Sequence, residues 1–116
     1  MVYKIELSDG NILEISQNDL KSTKISCNEL QKELIDGWRL PEIEELRQIF
    51  SRLHLNNVGN FKNEWYWSNT ECYVSFDIKT QWCVNFQNGI NNANGPIVHV
   101  LNEANIRLVR DLPKSI

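Results

Sequence analysis

No run of apolar residues in this 116-residue chain approaches membrane-spanning length, and its first residues do not read as an export leader. The start, MVYKIELSDG, carries charge at Lys4, Glu6 and Asp9 where a leader needs an apolar stretch, so a cytoplasmic location is expected. A basic cluster is missing too. The net charge is -3, with Lys and Arg dispersed among Asp and Glu, which leaves no electrostatic footprint for a phosphate backbone. Neither nucleic acid nor a membrane is expected as a partner. Cysteine is sparse: Cys27, Cys72 and Cys83 are odd in number and lack CxxC spacing, which fits thiols in a reducing compartment. A Cys72–Cys83 bridge is the alternative, and it needs an oxidising destination.

The residue patterns of catalysis are equally thin. His54 and His99 are the only imidazoles and stand in no HxH, HxxxH or HExxH spacing, so no metal site is expected. No G-x-S-x-G elbow activates a serine, and no Gly-rich loop precedes a helix at the spacing of a phosphate cradle. The segment QNGINNANGP, residues 87 to 96, lacks the carboxylates that calcium requires. No cofactor is expected, and the chain does not read as an enzyme.

What is present reads as one domain over residues 1–116, long enough to bury a core unaided. The first fifteen residues suggest a hairpin around Asp9-Gly10-Asn11. A three-residue loop that pairs Leu7 with Leu13 and Ile5 with Ile15 gathers one apolar face. Ser26 and Glu29 form a capping-box pattern, with Ile25 placed to staple onto Leu30, so a helix is predicted from about Cys27 to a stop at Gly37. A second helix is predicted after Pro41, with Ile43, Leu46, Ile49, Phe50 and Leu53 at helical spacing. Glu42, Glu44 and Glu45 fall in its first turn, where the dipole favours carboxylates, and this explains them better than a catalytic acid cluster does.

Residues 56 to 64 read as a surface loop. Period-two alternation follows: Cys72, Val74, Phe76 and Ile78 on one face, then Trp82, Val84 and Phe86, which a hairpin pairing Ile78 with Trp82 would align. Residues 87 to 96 are predicted to be an exposed loop, and IVHVL and IRLVR to be short strands. In EWYWSNTE, residues 64 to 71, a strand would put Trp65 and Trp67 on one face and Tyr66 on the other, so that at most one face looks at solvent. Trp67 and Trp82 are expected in the core, and Trp65 is the ring expected to stay partly exposed as a stacking surface.

Taken in order, DGWRLPEIEELRQIF, YWSNTE, WCVNFQNG and IRLVR resemble a bacterial family, typified by the C-terminal domain of the Legionella collagen-like protein and mostly of unknown function. Its motifs are a Gly-Trp-Arg-Leu-Pro turn before a helix, a Tyr-Trp-Ser-Ser-Thr strand, a Trp-x-Val-x-Phe strand ending in Gly, and a terminal Val-Arg-x-Val-Arg. The resemblance runs from Ser26 to Arg110. It implies an α+β, C-type-lectin-like fold: two helices packed on a small twisted antiparallel sheet, N- and C-terminal strands close together, and long loops grouped on one side. A wider likeness, to formylglycine-generating enzymes, rests on Arg39 to Pro41 and Arg107 to Val109. Those enzymes are much longer and use a redox cysteine pair absent from the matching region. Here Glu42 stands where the family has Thr, which removes a cap hydroxyl and predicts a less well capped helix. Asn69 replaces a Ser, and Ile106 a Val.

The expectation is a non-catalytic module that recognises a glycan or protein partner through two polar loops, Asn56 to Glu64 and Gln87 to Pro96, since Asn both donates and accepts hydrogen bonds. The expected ligand-binding residues are Trp65, Asn88, Asn91, Asn92 and Asn94. The alternatives are an assembly component of a phage or mobile element and, less favoured, an enzyme of the formylglycine-generating type. Either a monomer or a small homo-oligomer fits.

Overall fold

The N-terminal residues form a hairpin of β1 (Tyr3–Glu6) and β2 (Ile12–Ile15), which the last strand, β8 (Val109–Leu112), extends into a three-stranded antiparallel sheet. The computed structural model describes residues 2–22, 24–73, 79–88, 91–92 and 104–112. Between those strands come β3 (Leu20–Ser22), α1 (Lys24–Glu33), α2 (Ile43–Arg52) and a 3-10 turn (His54–Asn56). After them come β4 (Trp65–Tyr73), β5 (Lys79–Asn85), β6 (Asn91–Asn92) and β7 (Ala104–Ile106). These later strands and β3 form a five-stranded sheet in the order β3-β7-β4-β5-β6. The described residues are therefore α+β with two helices, and the N-terminal hairpin is paired with β8. The sheet is not purely antiparallel, because β4 and β7 run parallel at Tyr66 and Asn105. Among the described residues no helix is long and apolar enough to cross a membrane.

The hairpin register differs from expectation. Ile5 pairs with Leu13 and Tyr3 with Ile15. Leu7 instead faces Asn11, with the Leu7 N–H donating to the Asn11 carbonyl at 2.8 Å and the Gly10 N–H returning to Leu7 at 2.9 Å. Gly10 closes this loop at φ +86, a backbone conformation that favours glycine. The Asp9 carboxylate accepts the Asn11 N–H at 3.0 Å and so draws the loop toward Ser8-Asp9-Gly10. The slip is an even number of residues, so the apolar face survives: Ile5, Leu13 and Ile15 are all core.

Helix α1 begins at Lys24, so Ser26 lies inside it rather than at its cap, and it ends at Glu33, ahead of Gly37. Helix α2 matches its predicted extent, with Leu46 and Ile49 buried. Its start is better secured than the sequence implies. The Glu42 N–H donates to Glu45 Oε1 at 2.8 Å, and the Ile43 N–H donates to Thr70 Oγ1, also at 2.8 Å. The cap hydroxyl missing at position 42 is thus supplied from β4, where Thr70 also donates to Glu42 Oε2 at 2.7 Å.

That docking explains why the β4–β5 hairpin departs from the expected register. Trp67 pairs with Cys83, a bulge follows, and pairing resumes with Glu71 opposite Gln81 and Tyr73 opposite Lys79. Trp82 therefore lies opposite the bulge in β4. Within the bulge the Asn69 N–H donates to the Pro41 carbonyl at 2.7 Å, and the Ser68 hydroxyl donates to the Trp82 carbonyl at 2.7 Å. The irregularity is what brings Thr70 to the helix start. Val74, Phe76 and Ile78, like the predicted IVHVL strand, lie outside the described residues. Within the expected loop of residues 87 to 96, Asn91 and Asn92 instead pair with Val84 and Cys83 as strand β6.

The central strand is covered on both faces. Tyr66 packs with Ile5, Leu13, Leu46, Ile49, Val84 and Phe86 on the α2 side. Trp67 packs with Leu40, Cys83 and Ile106 on the other, where Leu30 of α1 and Leu34 close the cluster. Both rings are 0% exposed, so neither face looks at solvent. Trp82 is only half-buried, against the expectation that it is core.

Candidate functional site

The motif residues that suggest a family turn out to be ties between elements. Arg39 and Val109 exchange backbone hydrogen bonds at 2.8 and 2.9 Å, which fastens the turn before α2 to the start of β8. The Arg39 guanidinium reaches Glu45 at 2.7 Å through both terminal nitrogens, and Asp111 at 3.0 and 3.1 Å. The Glu45 contact, more than any other, holds the guanidinium protonated beyond its already high range, with Asp111 adding to it. Arg110 donates to Glu14 at 2.8 Å and lies 4.4 Å over the Trp38 ring. The predicted IRLVR strand is in fact two strands, β7 and β8, and Arg107-Leu108 carries the chain from one sheet to the other.

Arg107 is the residue whose role the sequence conceals. Its side chain is 1% exposed, and its charge is met by Asp19 Oδ1 at 2.7 Å from Nε. Nη1 donates to the carbonyls of Ser16 and Gly59 at 3.1 and 2.8 Å, and Nη2 to that of Asn60 at 3.2 Å. The guanidinium also sits 4.0 Å from the centre of the Phe61 ring. The other oxygen of Asp19 accepts the Tyr66 hydroxyl at 2.7 Å, and the Lys62 N–H donates to that same hydroxyl at 3.0 Å. Burial pushes the Tyr66 phenol above its usual range; the Lys62 N–H opposes the shift and the Asp19 carboxylate adds to it. In the sequence Arg107 stands out as part of the IRLVR motif, and nothing there points to its partners.

The segment from Asn56 to Glu64 is therefore not a loose loop. Asn57, Gly59 and Asn60 all have positive φ, at 59, 102 and 56 degrees. Gly59 and Phe61 are held from beneath. Phe61 joins a ring cluster with His54, Tyr66 and Phe86, at centroid separations of 6.1, 5.7 and 5.2 Å. The His54 Nε2 lies 2.7 Å from Asn63 Oδ1. Above this base the side chains of Asn57, Asn60, Lys62 and Asn63 are exposed, beside Leu55 at 62% and Val58 at 41%.

Among the expected ligand-binding residues, Trp65 is half-buried and packs on the Trp67 cluster, which leaves part of the ring available. Asn88 is exposed in the turn after β5. Asn91 and Asn92 are strand residues rather than loop residues, and Asn94 lies outside the described residues. The backbones of Tyr66, Val84 and Asn91 stand side by side, so Trp65 and Asn91 occupy adjoining rungs about 10 Å apart across two strand spacings. The Phe86 N–H donates to the Glu64 carbonyl at 2.9 Å, and this joins the turn of Asn88 to the Asn56–Glu64 loop. Trp65, Asn88 and that loop share one end of the sheet. The sequence reading did not single out Asn57, Asn60 and Asn63, because their composition alone resembles any solvated loop.

Cys83 is a buried thiol, pushed up to about 12 by desolvation, which makes it a poor nucleophile. Among the described residues no three His, Cys, Asp or Glu side chains converge on a common point. Two shallow clefts of 290 and 300 Å³ flank the outer face of α2 along Glu44 and Gln48. Their acids are engaged: Glu44 with Arg47 at 3.1 Å, Glu45 with Arg39, and Asp9 with Asn11.

In comparison with known proteins, the profile of the Lcl C-terminal domain matches residues 10–110. No curated protein and no solved structure matches the chain.

Proposed function

The chain belongs to the Lcl C-terminal domain family, and from that premise we propose that it is a non-catalytic recognition module of the C-type-lectin-like type. Its ligand is a glycan or a protein surface, met at the end of the sheet where the Asn56–Glu64 loop, Trp65 and the turn of Asn88 adjoin. The observation that carries this reading is the loop itself: exposed amides of Asn57 and Asn60 stand on a base that is buried and hydrogen-bonded. Amides on an ordered base supply donors and acceptors with little ordering left to do on binding. The pairing of the N-terminal hairpin with β8 agrees with a lectin-like arrangement. A non-catalytic role accords with how the best-buried acids among the described residues are used: Glu14, Asp19 and Glu45 each serve an arginine in holding the fold.

A glycan array and a panel of immobilised candidate proteins test the proposal. Specific binding is expected, and it should weaken in Trp65→Phe and Asn60→Gly, which keep an aromatic packed on the Trp67 cluster and suit the positive φ, while the urea midpoints stay near that of the parent. Binding that is absent, or unaffected by both changes, would remove the reading. A second reading, an assembly component that contacts its own copies, is favoured by the exposed Leu55 and Val58. Light scattering across concentration distinguishes the two: a persistent oligomer broken by Leu55→Ser supports assembly.

A further inference from the structure

We infer that Arg107 is a positioning residue for the recognition loop, a role that deepens the function proposed above and rests on it for its biological meaning. A loop holding Asn57, Gly59 and Asn60 at positive φ is conformationally costly, and asparagine in that region costs more than glycine. Such a segment persists only when its surroundings over-determine it. Here the determination comes from one side chain that fixes three successive residues: the carbonyls of Gly59 and Asn60 and the ring of Phe61. Arg107 is in turn fixed by Asp19 and the Ser16 carbonyl at the end of β2. A planar fork of donors meets these carbonyls together, and a lysine, with its single nitrogen, cannot.

Gly59 completes the device. A Cβ there would lie 2.2 Å from Phe61 Cε2, so the ring that covers the guanidinium lies directly against the glycine. The amides of Asn57 and Asn60 are thereby presented to a ligand already ordered, and association is spared the cost of fixing the loop.

Amide hydrogen exchange tests the inference without any ligand. The reporters in the loop are the N–H groups of Asn57, Val58 and Lys62, bonded to the His54 carbonyl, the Leu53 carbonyl and the Tyr66 hydroxyl. The controls are the N–H groups of Leu46 and Leu53, bonded to the carbonyls of Glu42 and Ile49 at the two ends of α2. In Arg107→Lys the loop amides should exchange at least about tenfold faster relative to the controls, as local opening does when its own anchor is lost. Acceleration of both groups by one common factor would make Arg107 a general stabiliser and overturn the inference, as would an unchanged loop.

Should Arg107→Lys not fold, Asp19→Asn decides. It keeps the shape of the partner, removes the carboxylate that orients the guanidinium, and should give the same loop-selective pattern at smaller scale. A uniform change, or none, overturns the inference there too. Because exchange is read on the unliganded protein, a failed binding screen beside a loop-selective result removes the proposed function and leaves the clamp standing.

Discussion

Replacing Thr70 by valine keeps the shape of the side chain and deletes a hydroxyl with two duties. It accepts the first helical N–H of α2, from Ile43, and it donates to the Glu42 carboxylate. Losing a helix cap costs about 1 kcal/mol, and stranding a backbone N–H costs about 1–3 kcal/mol when water cannot replace the partner. Thr70 is half-buried, so water recovers part of this. The expected loss is about 1.5 kcal/mol, or roughly 6 °C in Tm for a domain of this size. Urea unfolding followed by tryptophan fluorescence measures it, with an unchanged m-value showing that stability alone has moved.

The decisive version is a cycle with Glu42→Thr, which puts a hydroxyl back on the cap residue and removes the acceptor of the Thr70 hydroxyl. Thr70→Val should then cost less than in the parent, with a coupling of about 0.5–1 kcal/mol. If Thr70→Val changes stability by less than about 0.3 kcal/mol, or the two changes add without coupling, cap supply from β4 contributes nothing and the reasoning fails.

The Cys83 thiol should resist iodoacetamide at pH 8 in the native protein and react in urea, as read by peptide mapping. Its folded pKa is raised from 9.0 to about 12, so its contribution is intact below pH 9 and is lost as pH rises toward 12. By pH 10 that loss is about 1.4 kcal/mol, and urea midpoints at pH 8 and pH 10 should differ less in Cys83→Ala. Gly59→Ala places a methyl against Phe61 at φ +102 and should cost about 2–3 kcal/mol, measured in the same way. Tyr66→Phe removes the acceptor of the Lys62 N–H and a donor to Asp19. It should cost about 1–2 kcal/mol.

What the sequence made legible was whatever follows from local period. The apolar spacing of Ile43, Leu46 and Ile49 locates α2, and the strict alternation of Trp65, Tyr66 and Trp67 assigns those rings to their faces. What escaped it depends on residues distant along the chain. The hairpin register turned on the Asp9 carboxylate drawing the loop forward, which pattern alone does not weigh. The β4 bulge exists because Ser68, Asn69 and Thr70 have partners at Trp82, Pro41 and Ile43. The candidate site suffered most. The sequence marked both polar loops as a recognition face but took its individual asparagines from residues 87–96, whereas what distinguishes the Asn56–Glu64 loop is a buried arginine some 47 positions away. Charge in an apolar strand was the available clue, and a composition count treats it as noise.

The pairing of β2 with β8 bears on how the molecule comes into being. Glu14 and Arg110 are separated by 96 positions, and Arg107 and Asp19 by 88. During translation the hairpin of β1 and β2 emerges with one edge unsatisfied, and the strand that satisfies it follows only some 96 residues later. The three-stranded sheet therefore closes only after everything between β2 and β8 has been made. A nascent chain stalled before Arg107 would expose that bare edge to any other strand nearby.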